Sequence, residues 1–265
     1  MLIVVLLVML VGLCLVMAAA WLVAIRTGKA GWVDVIWSYG IGVAGVFGAL
    51  VPLGGTAGMQ PRSWLVAGAV AIWSLRLGSY ILMRTLDGGN DPRYAQLQQD
   101  WGDRFASRLF AFLQIQALAA FVLAASVMVA ARNPAPLGIF DALALLVLLA
   151  AVAGEGVADA QMATFRRGAA NSGKVCDIGL WGLSRHPNYF FEWLAWIAYP
   201  LFALGYGWGW LALAAPAMMY WLLVHVSGIP PLEAHMLRSR PAAFRAYQQR
   251  VRAFWPVPRS KGAAS

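Results

Sequence analysis

The sequence predicts an all-α integral membrane protein with seven transmembrane helices, its N-terminus outside and its C-terminus in the cytoplasm. Three observations carry that expectation. Hydrophobic residues make up 61% of the 265-residue chain and charged residues only 12%, about half the share usual in a soluble domain. Apolar stretches long enough to span a bilayer recur from one end to the other, which excludes a water-soluble globule, a disordered chain and a coiled coil. Basic residues gather in alternate connections, the pattern that orients helices with their positive loops inside.

The first span, residues 1–25, opens with MLIVVLLVML. It lacks a basic leading segment and exceeds a signal-peptide core, so it reads as a retained helix despite the small residues Ala18, Ala19 and Ala20. Arg26 and Lys29 follow it. The second span, 32–52, carries Gly40, Gly42, Gly45 and Gly48, which permit close helix approach and read as packing positions. The third, 63–86, leads into the turn-rich stretch RTLDGGNDPRY and then Arg104 and Arg108. The fourth covers 109–131. The fifth, 137–165, is long and is followed by Arg166, Arg167, Lys174 and Arg185. The sixth, 189–204, is short, and the seventh covers 207–227. The tail holds Arg238, Arg240, Arg245, Arg250, Arg252, Arg259 and Lys261, whereas the opposite side has only Arg62 and Arg132. No repeat or low-complexity segment interrupts a single integral-membrane domain over 1–265. The net charge of +9 therefore reports topology and anionic lipid, and no nucleic-acid partner is expected.

Ionisable residues inside spans mark functional sites, because holding them there is costly. Asp34, Arg76, Glu155, Asp159 and Glu192 qualify. Counted from the nearest cytoplasmic end, all five belong to the cytoplasmic half, together with Trp37, Tyr39 and Tyr80, while the outer half contributes only Asp141. Glu155 and Asp159, four residues apart, share one helix face, which Arg166 continues. The expectation is a polar cavity opening toward the basic loops. Asp34 has a second reading as a helix cap or as the partner of Arg76. The loop 84–94 adds Arg84, Asp91 and Arg93, and GLWGLSRHPNYFFE adds Arg185, His186, Asn188 and Tyr189 at a helix start. An Arg/Tyr/His set in that position suits phosphate and ribose recognition. The tail has a second reading as an interfacial helix held by anionic lipid.

Several chemistries drop out. There is no GxGxxG after a strand and no P-loop. Three scattered histidines without HExxH give no metal site. Cys14 and Cys176 form no CxxC and no disulfide is expected. Neither Ser184 nor Ser227 occupies a nucleophile elbow.

The run LWGLSRHPNYFFEW followed by VSGIPPLEAHMLRSRPAAFRAYQQRVRAFWP resembles the C-terminal signature of the steroid 5-alpha-reductase family, most of all its bacterial members. GWVDVIWSYG, WSLRLGSYILMR and NDPRY extend the resemblance over nearly the whole chain. The RHPxY portion is shared with isoprenylcysteine carboxyl methyltransferases. The resemblance implies a seven-helix fold holding NADPH on the cytoplasmic side and reducing a carbon–carbon double bond conjugated to a ketone. It implies that Asn188 and Glu192 hold the nicotinamide side, and that Asp159, Arg166, Arg84 and Tyr247 bind ribose, phosphates or adenine. Asp91, Arg93, Arg185, His186 and Tyr189 complete the expected cofactor set. The family's catalytic pair is a glutamate on helix two and a tyrosine on helix three; this chain offers Asp34 and Tyr80.

The chemistry agrees with the residues. Hydride addition to an enone builds charge on the carbonyl oxygen, which hydrogen-bond donors in a dry pocket stabilise. A lipophilic, steroid-like substrate is expected to enter from the bilayer. The competing reading is a membrane methyltransferase using S-adenosylmethionine, which leaves the loop arginines unexplained. A lipid-binding or transport protein needs a polar path through both leaflets, and the outer half is nearly free of polar residues.

Overall fold

Apolar runs surrounded by lipid must close their backbone hydrogen bonds internally, and in the computed structural model each such run is helical. Residues 1–53, 60–87 and 92–257 are described, Pro92 and Arg93 by their backbone alone. Ten α-helices follow in order among them: α1 (Leu2–Thr27), α2 (Gly31–Leu50), α3 (Pro61–Leu86), α4 (Pro92–Trp101), α5 (Phe105–Ala131), α6 (Ile139–Arg167), α7 (Pro187–Phe202), α8 (Ala214–Trp221), α9 (Ile229–Ser239) and α10 (Pro241–Arg250). No strand occurs among the described residues; Ser184 and Arg252 form an isolated bridge.

Among the described residues, six helical segments are long and apolar enough to cross a membrane: Leu2–Thr27, Gly31–Leu50, Pro61–Leu86, Tyr94–Ala131, Ile139–Arg167 and Gly209–Ser239. The chain is a multi-pass membrane protein. The sixth expected span is α7, whose 16 residues rise only about 24 Å. The last expected span is not one α-helix. A 3-10 turn, Gly209–Leu213, leads into α8, and a π-helical turn, Leu222–Val226, connects α8 toward α9. Pro230 and Pro231 then begin α9, where missing N–H groups cost nothing.

The chain divides into two compact units. The first comprises Met1–Leu145 and Ile197–Ala215, the second Leu146–Trp196 and Pro216–Ser265. In the first, α2 packs along α3, α1 and α5. The glycines of α2 serve that packing: a Cβ on Gly42 would lie 2.1 Å from Ser74 Oγ, one on Gly45 3.0 Å from Val70, and one on Gly48 3.2 Å from Met9 and Met128. Cross-helix bonds from Trp21 Nε1 to the Ala106 carbonyl (2.8 Å) and from Trp37 Nε1 to that of Gln116 (3.2 Å) tie α1 and α2 to α5. Arg62, at the start of α3, holds the far end of this unit. Its Nε and Nη2 grip Asp141 at 2.7 Å each, and its remaining N–H groups reach the carbonyls of Asn133, Ala135 and Pro136. All five guanidinium donors are thus used.

Candidate functional site

In the second unit, the turn before α7 is fastened by long-range bonds. Arg185 Nε and Nη2 form a two-pronged pair with Glu233 of α9 at 2.7 and 3.1 Å, and Nη1 donates to the Val251 carbonyl. Gln248 of α10 donates to the same carboxylate at 2.7 Å. His186 Nε2 meets Glu233 at 3.1 Å. Burial pushes the His186 imidazole below its usual range, against the pull of Glu233. The ring is therefore neutral and donates Nε2–H to the carboxylate. Ser184 Oγ donates to the carbonyls of Ala253 and Phe254, and Arg185 N to that of Arg252. Tyr247 OH donates to the Trp181 carbonyl, and burial keeps its phenol protonated by pushing the pKa up. The tail after α10 is thus strapped across the turn, fixing where α7 begins.

The same unit buries three carboxylates, Glu155 and Asp159 on α6 and Glu192 on α7, each at most 6% exposed. Glu192 accepts from Trp196 Nε1 at 3.0 Å. Gly154 faces the Phe191 ring, whose atoms would sit 2.4–2.5 Å from a Cβ there, so α6 and α7 approach closely beside the acids. Trp181 Nε1 donates to the Ala158 carbonyl at 2.9 Å, holding the loop against α6.

Where α6 ends, the same unit carries a half-open cavity of about 340 Å³. Met162, Phe165 and Met236 give it apolar walls; Arg166, Lys174 and Arg240 are its charged lining residues, with no carboxylate among them. Cys176 also lines it, and burial pushes that thiol up, so it adds no negative charge. A pocket of mixed lining, with apolar side chains on one part and three cations on another, suits a flat ring bearing phosphate.

In the first unit, Tyr94 OH donates to Asp34 Oδ1 at 3.1 Å. The Arg76 guanidinium lies 5.5 Å from the centre of the Tyr80 ring, a cation–π distance. Tyr39 OH and Ser79 Oγ form a hydroxyl pair at 3.1 Å on the exposed side of α2 and α3.

The expected site residues thus separate into groups. Arg166 lines the basic cavity; Asp159 and Glu192 are buried; Asn188 and Tyr189 are half-buried at the start of α7, with the Tyr189 ring stacked on His186 at 5.5 Å. Arg185, His186 and Tyr247 have their polar atoms engaged in the strap. Arg84 is exposed near the end of α3, and Asp34 and Tyr80 belong to the first unit. Asp91 and the Arg93 side chain fall outside the described residues. Sequence reasoning did not single out Glu233, Gln248, Lys174, Arg240 or Tyr94. One signal existed: Glu233 is the only acid in the otherwise basic stretch 229–256.

A family model matches residues 20–251, most of the chain. The chain belongs to DUF1295, a family described as proteins of unknown function. The match covers both units of this DUF1295 protein, from within α1 to the strap. No curated protein and no solved structure matches it.

Proposed function

We propose that this DUF1295 protein is an NADPH-dependent membrane reductase that adds hydrogen across a carbon–carbon double bond conjugated to a ketone in a lipophilic substrate. The observation that carries the reading is the cavity of about 340 Å³ with Arg166, Lys174 and Arg240 and no carboxylate in its lining. Its chemistry fits the adenosine end of a phosphorylated dinucleotide. Cations serve a 2′-phosphate, the feature that separates NADPH from NADH. Asp159, Asn188 and Glu192 are assigned to the ribose and nicotinamide amide, as the family resemblance implies. Bound NADPH supplies the hydride. Asp34 and Tyr80 are the assigned hydrogen-bond and proton donors to the carbonyl side, and Tyr94 holds Asp34 in place. The reading includes seven crossings, α7 among them, with the N-terminus outside and the basic loops in the cytoplasm.

The test is thermal stabilisation of purified protein by NADPH, NADH and S-adenosylmethionine in parallel. NADPH is expected to raise the melting temperature most. Lys174→Gln and Arg240→Gln should each weaken NADPH by roughly tenfold or more, the range for one charge-assisted hydrogen bond, with little change for NADH. Stabilisation by S-adenosylmethionine alone would replace the reductase reading with the methyltransferase one.

A further inference from the structure

Hydroxyl groups inside the spans of the first unit find backbone carbonyls. Ser38 Oγ donates to the Asp34 carbonyl at 2.8 Å, Thr85 Oγ1 to that of Ile81 at 2.9 Å, Ser126 Oγ to that of Val122 at 2.9 Å, and Ser74 Oγ crosses to Ser38 at 3.0 Å. Tyr39 and Ser79 behave differently. Their hydroxyls meet each other at 3.1 Å, on the exposed side of α2 and α3. Two hydroxyls in one such bond use one proton and leave one O–H to give.

The pair is built to stand where it does. The hydroxyl end of the Tyr39 ring rests on Gly78: Cζ, Cε1 and Cε2 would lie 2.7, 2.8 and 3.0 Å from a Cβ at that position. No other residue type leaves the ring there. One turn away along each helix, Val43, Leu75 and Met83 are 71%, 59% and 67% exposed, so apolar side chains flank the pair, with half-buried Arg76 as its charged neighbour on α3. Tyr39 lies eight residues into α2 and Ser79 seven before the end of α3, about 12 and 10 Å along the helices. A donor left without a partner at that depth is costly.

We propose that the Tyr39–Ser79 pair is the polar end of a binding site for a membrane-dissolved apolar molecule carrying a carbonyl oxygen. Such a molecule covers Val43, Leu75 and Met83 with its hydrocarbon body and accepts the spare O–H with its oxygen. The ligand class rests on the reductase reading and deepens it, because it gives a lipophilic ketone a docking station on α2 and α3 in addition to the assigned donors Asp34 and Tyr80.

Equilibrium binding of radiolabelled cholest-4-en-3-one to the full chain, without any nucleotide, tests the site, with cholest-4-ene as the oxygen-free comparison. Tyr39→Phe should weaken the ketone by about fivefold to tenfold, the span of one net hydrogen bond, and leave the hydrocarbon unchanged. Gly78→Ala should give the same selective loss by lifting the ring. Ser79→Ala should give a smaller one, because Tyr39 then keeps its own proton to donate, whereas a lone Ser79 turns its O–H back to a carbonyl of its own helix as Ser38, Thr85 and Ser126 do. Equal ketone affinity in wild type and Tyr39→Phe, or equal losses for ketone and hydrocarbon, overturns the proposal. So does a Tyr39→Phe effect on thermal stability that vanishes when ester-linked phospholipids are replaced by ether-linked ones, since the carbonyl is then that of a lipid. Because NADPH is absent throughout, failure of the reductase reading shows in the cofactor assay and failure of this site shows here.

Discussion

Arg185 lies in a motif whose sequence suggests phosphate binding, yet its guanidinium is 9% exposed and faces Glu233. Taking either charge away from such a buried pair leaves the other uncompensated, and that loss exceeds what the pair itself contributes. Glu233→Gln is therefore expected to destabilise the protein by about 3 kcal/mol, read as a lowered melting temperature in detergent. Arg166, Lys174 and Arg240 line the cavity instead. If Glu233→Gln melted like wild type, the strap would not be what fixes the start of α7. The RHPN stretch could be read from the chain; what Arg185 binds could not. Its partner is 48 residues away in sequence, and every arginine carries the same local signature whether it meets a carboxylate or a phosphate.

At the scale of the helix, α2 is fitted to its neighbours by small residues. A Cβ on Gly42 would lie 2.1 Å from Ser74 Oγ and 2.4 Å from Ser74 Cβ. Only the first of those atoms can rotate away, so Gly42→Ala should cost roughly 1–3 kcal/mol by overpacking. Gly42→Ala combined with Ser74→Gly should recover most of that loss, a coupling that thermal melts of the two singles and the double measure directly. Additive losses would mean the two helices do not meet at this point. The glycines of α2 announced close packing in the sequence because their spacing repeats along one helix. The last span was harder to read. Leu222–Val226 turns as a π-helix, and an apolar window looks the same whichever carbonyl each N–H selects.

For the whole chain, basic residues dominate one set of connections, and the two on the other side are committed to internal ties. Arg62 is neutralised by Asp141, and Arg132 Nη2 donates to the carbonyls of Gly48 and Val51 at 2.7 Å each. Most of the remaining positive charge belongs to the connections of Arg166, Lys174 and the tail, and the proposed orientation puts that side in the cytoplasm. In a background with Cys14 and Cys176 replaced, a membrane-impermeant maleimide should label Leu137→Cys in intact cells and Ser172→Cys only after permeabilisation. The reverse pattern would invert the topology. The sequence by itself determined that the chain is helical and crosses the membrane repeatedly, because run length and the need to satisfy backbone groups in lipid are local properties. The tertiary structure decided that Arg185, His186 and Tyr247 hold the tail while Lys174 and Arg240 join Arg166 around a cavity. The physical reason is that a charged side chain takes whichever partner packing brings within about 3 Å of it, and packing of distant segments leaves no mark on the residues beside it in the chain.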